Sequence, residues 1–303
     1  MRLGPSSQNR SRLKAPLLCA WLVTLALVLV TVSASAADTL TIISRGDANA
    51  EYSIGLLKLA LSKVEKHYRY DIHDGALTGA RQKQNLIDGS VDVVWTATNQ
   101  EMEDAVTPIR IPLYKGLLGY RVLLIHRDNN NLFSNTQSKK QLLQYTYGQG
   151  LGWSDTDIMT ANGMTVITAN KYESLFYMTD GKRFDAFPRG IHEPWLEMAN
   201  RPTLDLTVDK TVMLIYKMPF YLFITPTKPA LAIDVEKGMN IALDDGSFDE
   251  YFFNSPTVSK VLESVDLKSR QIFELNNPGL PPKTPIHDPR LWINLQQLQN
   301  SRL

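Results

Sequence analysis

Leu86-Ile87-Asp88-Gly89-Ser90-Val91-Asp92-Val93-Val94-Trp95 puts a helix end, a glycine break and a largely buried strand into ten consecutive residues. Asp180-Gly181-Lys182-Arg183-Phe184-Asp185-Ala186-Phe187 repeats the arrangement farther along. In both, glycine is expected in the left-handed backbone conformation that closes a helix without steric penalty. Either junction alone is a common helix-to-strand turn. Two of them, at corresponding places in two αβ series, point to two lobes of similar construction, each a mainly parallel sheet flanked by helices.

Working outward from the first junction, residues 39–43 form a β-branched run, Ser44-Arg45-Gly46-Asp47-Ala48-Asn49 is polar, and Ile54, Leu57, Leu61 and Val64 follow. The pattern predicts strand, loop and helix. Around the second junction, strands are expected at 120–125, 145–147, 165–167 and 184–187, and helices at 154–161 and 172–178. A strand at 221–225 and a helix at 230–243, stopped by Asp244-Asp245-Gly246, complete the series. Pro278, Pro281, Pro282, Pro285 and Pro289 keep residues 276–290 out of regular structure. A short helix holding Leu291, Leu295 and Leu298 is expected after them, the segment packing Trp292 and its leucines onto the first lobe or, alternatively, offering a docking surface.

The first 36 residues differ from the rest. They hold Arg2, Arg10, Arg12 and Lys14, no acidic residue, an apolar run at 17–32, and the close Ala34-Ser35-Ala36. This order fits a secretory signal cleaved after Ala36. The alternative is an uncleaved anchor, since the run and its flanks approach the roughly 18 to 20 residues that cross a bilayer. Leu18 stands before Cys19 where lipid attachment requires a small residue. Without this stretch and its four cations, 267 residues remain and the formal net charge moves from +1 to −3.

That remainder has no cysteine, so its core alone must hold it in an oxidising compartment. Its charges are scattered and slightly acidic, which argues against a nucleic-acid surface. A composition 44% apolar and 21% charged is that of a globular protein. A soluble periplasmic or exported product is the expectation.

Enzyme signatures are incomplete. His192-Glu193-Pro194-Trp195-Leu196 lacks the second histidine one turn on that a zinc-protease helix needs. Gly152-Trp153-Ser154-Asp155-Thr156 has Thr156 where a nucleophile elbow needs glycine. His67, His73, His126 and His287 stand singly. No catalytic residue, metal or cofactor is expected.

Binding features are better developed. Gly148-Gln149-Gly150-Leu151-Gly152 reads as a glycine-rich loop between a strand and a helix whose start is marked by Ser154 and Asp157, a capping-box pattern. Free amides there would favour an anion, although a plain helix cap accounts for the same residues. Arg189 is expected just past its strand, and Trp95-Thr96-Ala97-Thr98 at the matching strand end of the first lobe. Ligands of parallel sheets gather at such ends. The alternative for Arg189 is a surface salt bridge with Glu193; for Trp95, core filling.

The order of these elements resembles the bacterial periplasmic solute-binding proteins of family 3, the polar amino-acid-binding group. The matching segments are 86–94, Ile109-Arg110-Ile111-Pro112-Leu113-Tyr114, Gly181-Lys182-Arg183-Phe184-Asp185-Ala186, and Pro229-Ala230-Leu231 with its helix to Asp245-Gly246. The resemblance implies a two-lobed periplasmic binding protein-like fold of type II. Residues 38–124 plus 220–303 would form lobe one and 125–219 lobe two, joined by two crossing strands and closing by hinge motion. It also implies delivery of a small-molecule ligand to an inner-membrane transporter or a sensor, by a monomer. The family's usual carboxylate-gripping arginine aligns with Glu103, and its ammonium-binding aspartate falls in Pro188-Arg189-Gly190, so the usual amino-acid pairing is absent.

The candidate ligand-binding set is therefore Arg45, Tyr52, Trp95, Thr96, Thr98, Gly152, Trp153, Ser154, Arg189 and Glu193. Arg189 and the amides near Ser154 are expected to receive an anionic or strongly polar group, and Trp95 and Tyr52 to supply apolar walls. Noncatalytic capture of a small polar or anionic solute is the leading function. The alternatives are a secreted enzyme using Glu193 or Glu103 as acid or base, and a ligand-free interaction protein.

Overall fold

The structure, a computed structural model, describes residues 1, 2, 4 and 37–300 apart from 76, 265 and 268. The expected signal, its apolar run, Cys19 and the cleavage after Ala36 lie outside the described residues.

From residue 37 the chain opens with β1 (Asp38–Ser44) and α1 (Ala48–Ser62). The Asp47 carboxylate accepts the Ala50 N–H at 2.8 Å, so α1 starts within the polar run, at Ala48. The next elements are β2 (Tyr68–Asp74), α2 (Gly79–Asp88), β3 (Val93–Ala97), α3 (Gln100–Ala105), β4 (Thr107–Ile109) and β5 (Tyr120–His126). There follow α4 (Lys139–Leu142), β6 (Thr146–Gly150), α5 (Ser154–Ala161), β7 (Thr165–Ala169), α6 (Tyr172–Asp180), β8 (Phe187–Gly190) and α7 (Pro194–Ala199). The chain ends with β9 (Leu206–Ile215), β10 (Phe220–Ile224), α8 (Pro229–Asp244), α9 (Ser247–Asn254), α10 (Pro256–Ser264), β11 (Gln271–Glu274) and α11 (Leu295–Asn300).

Parallel pairing holds for β1 with β2 and for β6 with β7. Antiparallel ladders arise where the chain returns: β10 pairs β3 and β4, while β5 pairs β8 and β9. Hydrogen bonds tie these layers together. Thr41 and Asp92 join β1 to the start of β3, and the Gly148 N–H donates to Ala186 O at 2.8 Å beside β8.

The two junctions differ. Gly89 is left-handed at φ 75° and ends α2 as expected. Gly181 is not, at φ −77°; the left-handed residue is Lys182, at φ 53°. This corrects the expectation for Gly181, and hydrogen bonds explain it. The Arg183 and Lys182 amides reach back to Met178 O and Thr179 O, which moves the turn one residue on.

The main core joins Leu40 and Ile42 of β1 to Leu56 and Leu57 of α1 and to Val235 and Met239 of α8. Helices α1 and α8 approach closely because Gly238 faces Ala60: a Cβ there would lie 2.0 Å from Ala60 O. Burial of this apolar surface is the main stabilising contribution.

The end of the chain leaves the span expected for lobe one. β11 pairs in parallel with β9, which lies in the span expected for lobe two. The Asn162 amide then donates to Asn276 O at 2.7 Å, and Asn277 donates to Lys217 O at 2.9 Å. Farther on, the Ile293 N–H bonds Lys115 O at 2.8 Å, the Tyr120 hydroxyl donates to Ile293 O at 2.9 Å, and Trp292 covers Gly116. The proline-rich segment thus straps residues 115–120 and 215–217. Leu291 sits in a short 3-10 turn, Pro289–Leu291, outside the helix expected to contain it, because Pro289 opens that turn.

Candidate functional site

At the first strand end, the Thr98 hydroxyl is buried and donates to Glu103 Oε1 at 2.8 Å. The other Glu103 oxygen is held by Arg110 at 2.7 Å. The residue standing where the family carries an arginine is therefore a carboxylate with its own cation. Trp95 is half-buried and, with Arg45, Asp47, Asn49 and Phe220, lines a cavity of about 140 Å³.

At the second strand end the expected glycine-rich loop is corrected. β6 runs through Gly148 and Gly150, leaving only Leu151 and Gly152 as the turn. These glycines serve packing: a Cβ at Gly148 would meet the Phe184 ring at 2.1 Å, and one at Gly150 the Trp153 ring at 2.2 Å. The capping box is absent as well. Trp153 is the N-cap, no side chain caps α5, and Asp157 is exposed. Asp155 instead turns inward, where it pairs with Arg121 at 2.8 Å and accepts the Tyr216 hydroxyl.

Arg189 lies inside β8, not beyond it, and is buried. Its guanidinium contacts Glu197 at 2.6 Å and Glu193 at 2.8 Å and faces the rings of Phe187, Trp153 and Tyr172. Burial alone would lower its pKa; Glu193 and Glu197 outweigh burial and hold it well above the ordinary arginine value. Glu193 also accepts the Gly190 N–H at 2.6 Å and lies 3.5 Å from Arg121. Two guanidiniums and three carboxylates thus form one buried network. The cation expected to receive an anionic ligand is committed to the protein's own acids; its salt bridge with Glu193 is present but buried, not at the surface, and is shared with Glu197.

His192 stands beside this network, stacked on Tyr114 at 4.4 Å, with no partner for either ring nitrogen. Burial, reinforced by Arg121 and Arg189, pushes its pKa down to about 3, so it is neutral.

A second cavity, of about 1110 Å³, opens between α1 with α9 and α10 on one side and α6 with α7 on the other. Tyr52, Tyr251, Tyr172, Trp195 and Leu196 are in its lining, together with Arg45, Asp47, Glu51, Glu250 and Lys260. Of the residues expected at the site, Arg45, Tyr52 and Glu193 line this cavity; Arg45 also lines the smaller one with Trp95. Thr96, Thr98, Gly152, Trp153, Ser154 and Arg189 line neither. Sequence reasoning missed Tyr172, Trp195 and Tyr251. Pro194 opening a helix immediately before an aromatic was a usable signal for Trp195.

Among the described residues, no group of three or more His, Cys, Asp or Glu side chains could hold a metal ion. Among them, too, no helix is long and apolar enough to cross a membrane.

No family model matches the chain, and no curated protein matches it. Solved structures do. An ancestral arginine-binding protein bound to arginine is 16% identical with a TM-score of 0.53, the match covering 72% of this chain and 98% of that one. A histidine kinase sensor domain with similarity to periplasmic binding proteins is 12% identical at a TM-score of 0.54, covering 73% and 96%. An ancestral amino-acid-binding protein described as a precursor of cyclohexadienyl dehydratase is 16% identical at 0.52, covering 72% and 94%. At these identities the likeness shows the fold: over the matched part the chain has the two-lobed α/β architecture of the type II periplasmic binding proteins.

Proposed function

We propose that this protein captures a small solute, without altering it, in the cavity of about 1110 Å³. One observation carries the reading. The lining comes from residues 45–59 and 247–260 on one side and 172–201 on the other. With residues 45–59 and 247–260 in lobe one and 172–201 in lobe two, a guest there touches both lobes and favours their closure. The volume lies just above the range of about 300–1,000 Å³ usual for small-molecule sites.

In this reading the protein works outside the cytoplasm after removal of residues 1–36, and hands its solute to an inner-membrane transporter or a sensor. The likeness to a kinase sensor domain supports keeping both destinations. A binding role is favoured over an enzymatic one because Glu193 and Glu103, the acids an enzyme would use, are each ion-paired to arginine.

The test is mass spectrometry of small molecules released from natively purified protein, followed by calorimetric rebinding. Recovery of one unchanged compound that rebinds with unit stoichiometry is expected. A compound consumed on incubation points to an enzyme, and preparations that never carry or rebind any solute remove the reading.

A further inference from the structure

We propose that the large cavity takes an organic cation, an alkylated or quaternary ammonium on a small apolar body; this rests on the solute-binding reading above. The first argument is what the aromatic lining has left to offer. Tyr52, Tyr172, Trp195 and Tyr251 all line the cavity, and each has its polar tip bonded to the protein. The Tyr52 hydroxyl donates to Leu113 O at 2.8 Å, Tyr251 to Tyr52 O at 3.0 Å and Tyr172 to Glu197 Oε1 at 2.5 Å; the Trp195 indole N–H donates to Ile191 O at 3.2 Å. Tyr52 is buried with one face stacked on Tyr114, and Tyr172 already faces Arg189 and Arg201, so the ring surface open to a guest is that of the half-buried Trp195 and Tyr251. Tyr52 and Tyr251 lie side by side, with centroids 5.2 Å apart and planes at 45°. The negative face of such rings attracts an ammonium and needs no hydrogen bond from it.

The second argument is charge. Six carboxylates line the cavity against Arg45, Arg201 and Lys260. Arg201 is already held by both oxygens of Glu173, at 2.5 and 3.0 Å. Arg45 and Lys260 are exposed at the rim, where Glu51 and Glu250, in no ion pair among the described residues, offset them. Two of the six, Glu193 and Glu197, share Arg121 and Arg189 with Asp155 behind the wall, a network of three carboxylates and two guanidiniums. An anion entering here meets π faces and surplus carboxylate with no unpaired buried cation to receive it. A neutral guest gains only apolar contact. A cation gains from the rings and from the field together.

Isothermal titration of the chain from residue 37 onward with benzyltrimethylammonium, choline, the neutral choline isostere 3,3-dimethylbutan-1-ol, and glutarate tests this. The expected result is binding of the two cations at least tenfold tighter than the isostere, with no response to glutarate. Trp195→Leu and, separately, Tyr251→Leu are each expected to weaken cation binding about tenfold, with circular dichroism showing retained folding. Equal binding of choline and its isostere, or tighter binding of glutarate, overturns the cation inference while leaving solute capture standing. If neither cation binds and natively purified protein also releases no compound, both readings fall.

Discussion

The two cavities differ eightfold in volume, about 140 against 1110 Å³, and in how their polar groups are used. At the strand ends, Thr98 is bonded to Glu103, Asp155 is paired with Arg121, and Arg189 is paired with Glu193 and Glu197. At the larger one, Arg45, Lys260, Glu51 and Glu250 line the cavity and form no ion pair among the described residues. A polar residue at a strand end is therefore weak evidence for a ligand until its neighbours are known. Here the strand-end groups contribute stability and the wide cavity is left for recognition.

Substitutions that separate stability from binding would break or sharpen this contrast. The largest effect is expected for Arg189→Met, which strands Glu193 and Glu197 without their main cation in a buried site. A loss of about 3–5 kcal/mol in urea-unfolding free energy is expected. Unchanged stability with abolished solute binding would reverse the assignment. Gly150→Ala pushes a methyl group into the Trp153 ring and is expected to cost about 1–3 kcal/mol, read from the same titration.

His192 makes the contrast pH-dependent. Its pKa in the folded protein, about 3, lies below the ordinary 6.5, so on acidification the unfolded chain takes up the proton first. Its contribution is complete above about pH 6.5 and is lost toward pH 3, at about 1.4 kcal/mol per pH unit. The difference in stability between pH 7 and pH 5 should be smaller for His192→Phe than for the parent; equal differences would show that the imidazole is not held neutral. The smallest effect is expected at the open wall of the larger cavity. Leu196 is 45% exposed, and Leu196→Ala should change thermal stability by less than about 0.5 kcal/mol.

Local signals made much of the fold legible. Helix α5 occupies 154–161 as its spacing implies, and α1 begins at Ala48, within the polar run 44–49. β9 escaped notice because Asp209 and Lys210 interrupt its apolar run. The structure places a register shift there, with the Asp209 carboxylate accepting the Thr211 and Val212 amides. β2 escaped because its charges face outward. The site was harder for a different reason. Whether Arg189 is free depends on Glu193 and Glu197 folding back onto it, and the aromatic lining assembles from α1, α6, α7 and α9, which no local period links.

β11 also has a protective consequence. It lies on the outer border of its sheet, in the order β11, β9, β5, β8, and so occupies a row of backbone donors and acceptors on β9 that would otherwise face water. β9 reads Leu-Thr-Val-Asp-Lys-Thr-Val-Met-Leu-Ile, long and apolar enough to recruit a second molecule once uncovered. A chain ending before Gln271 should therefore self-associate, and light scattering from such a truncation would register it.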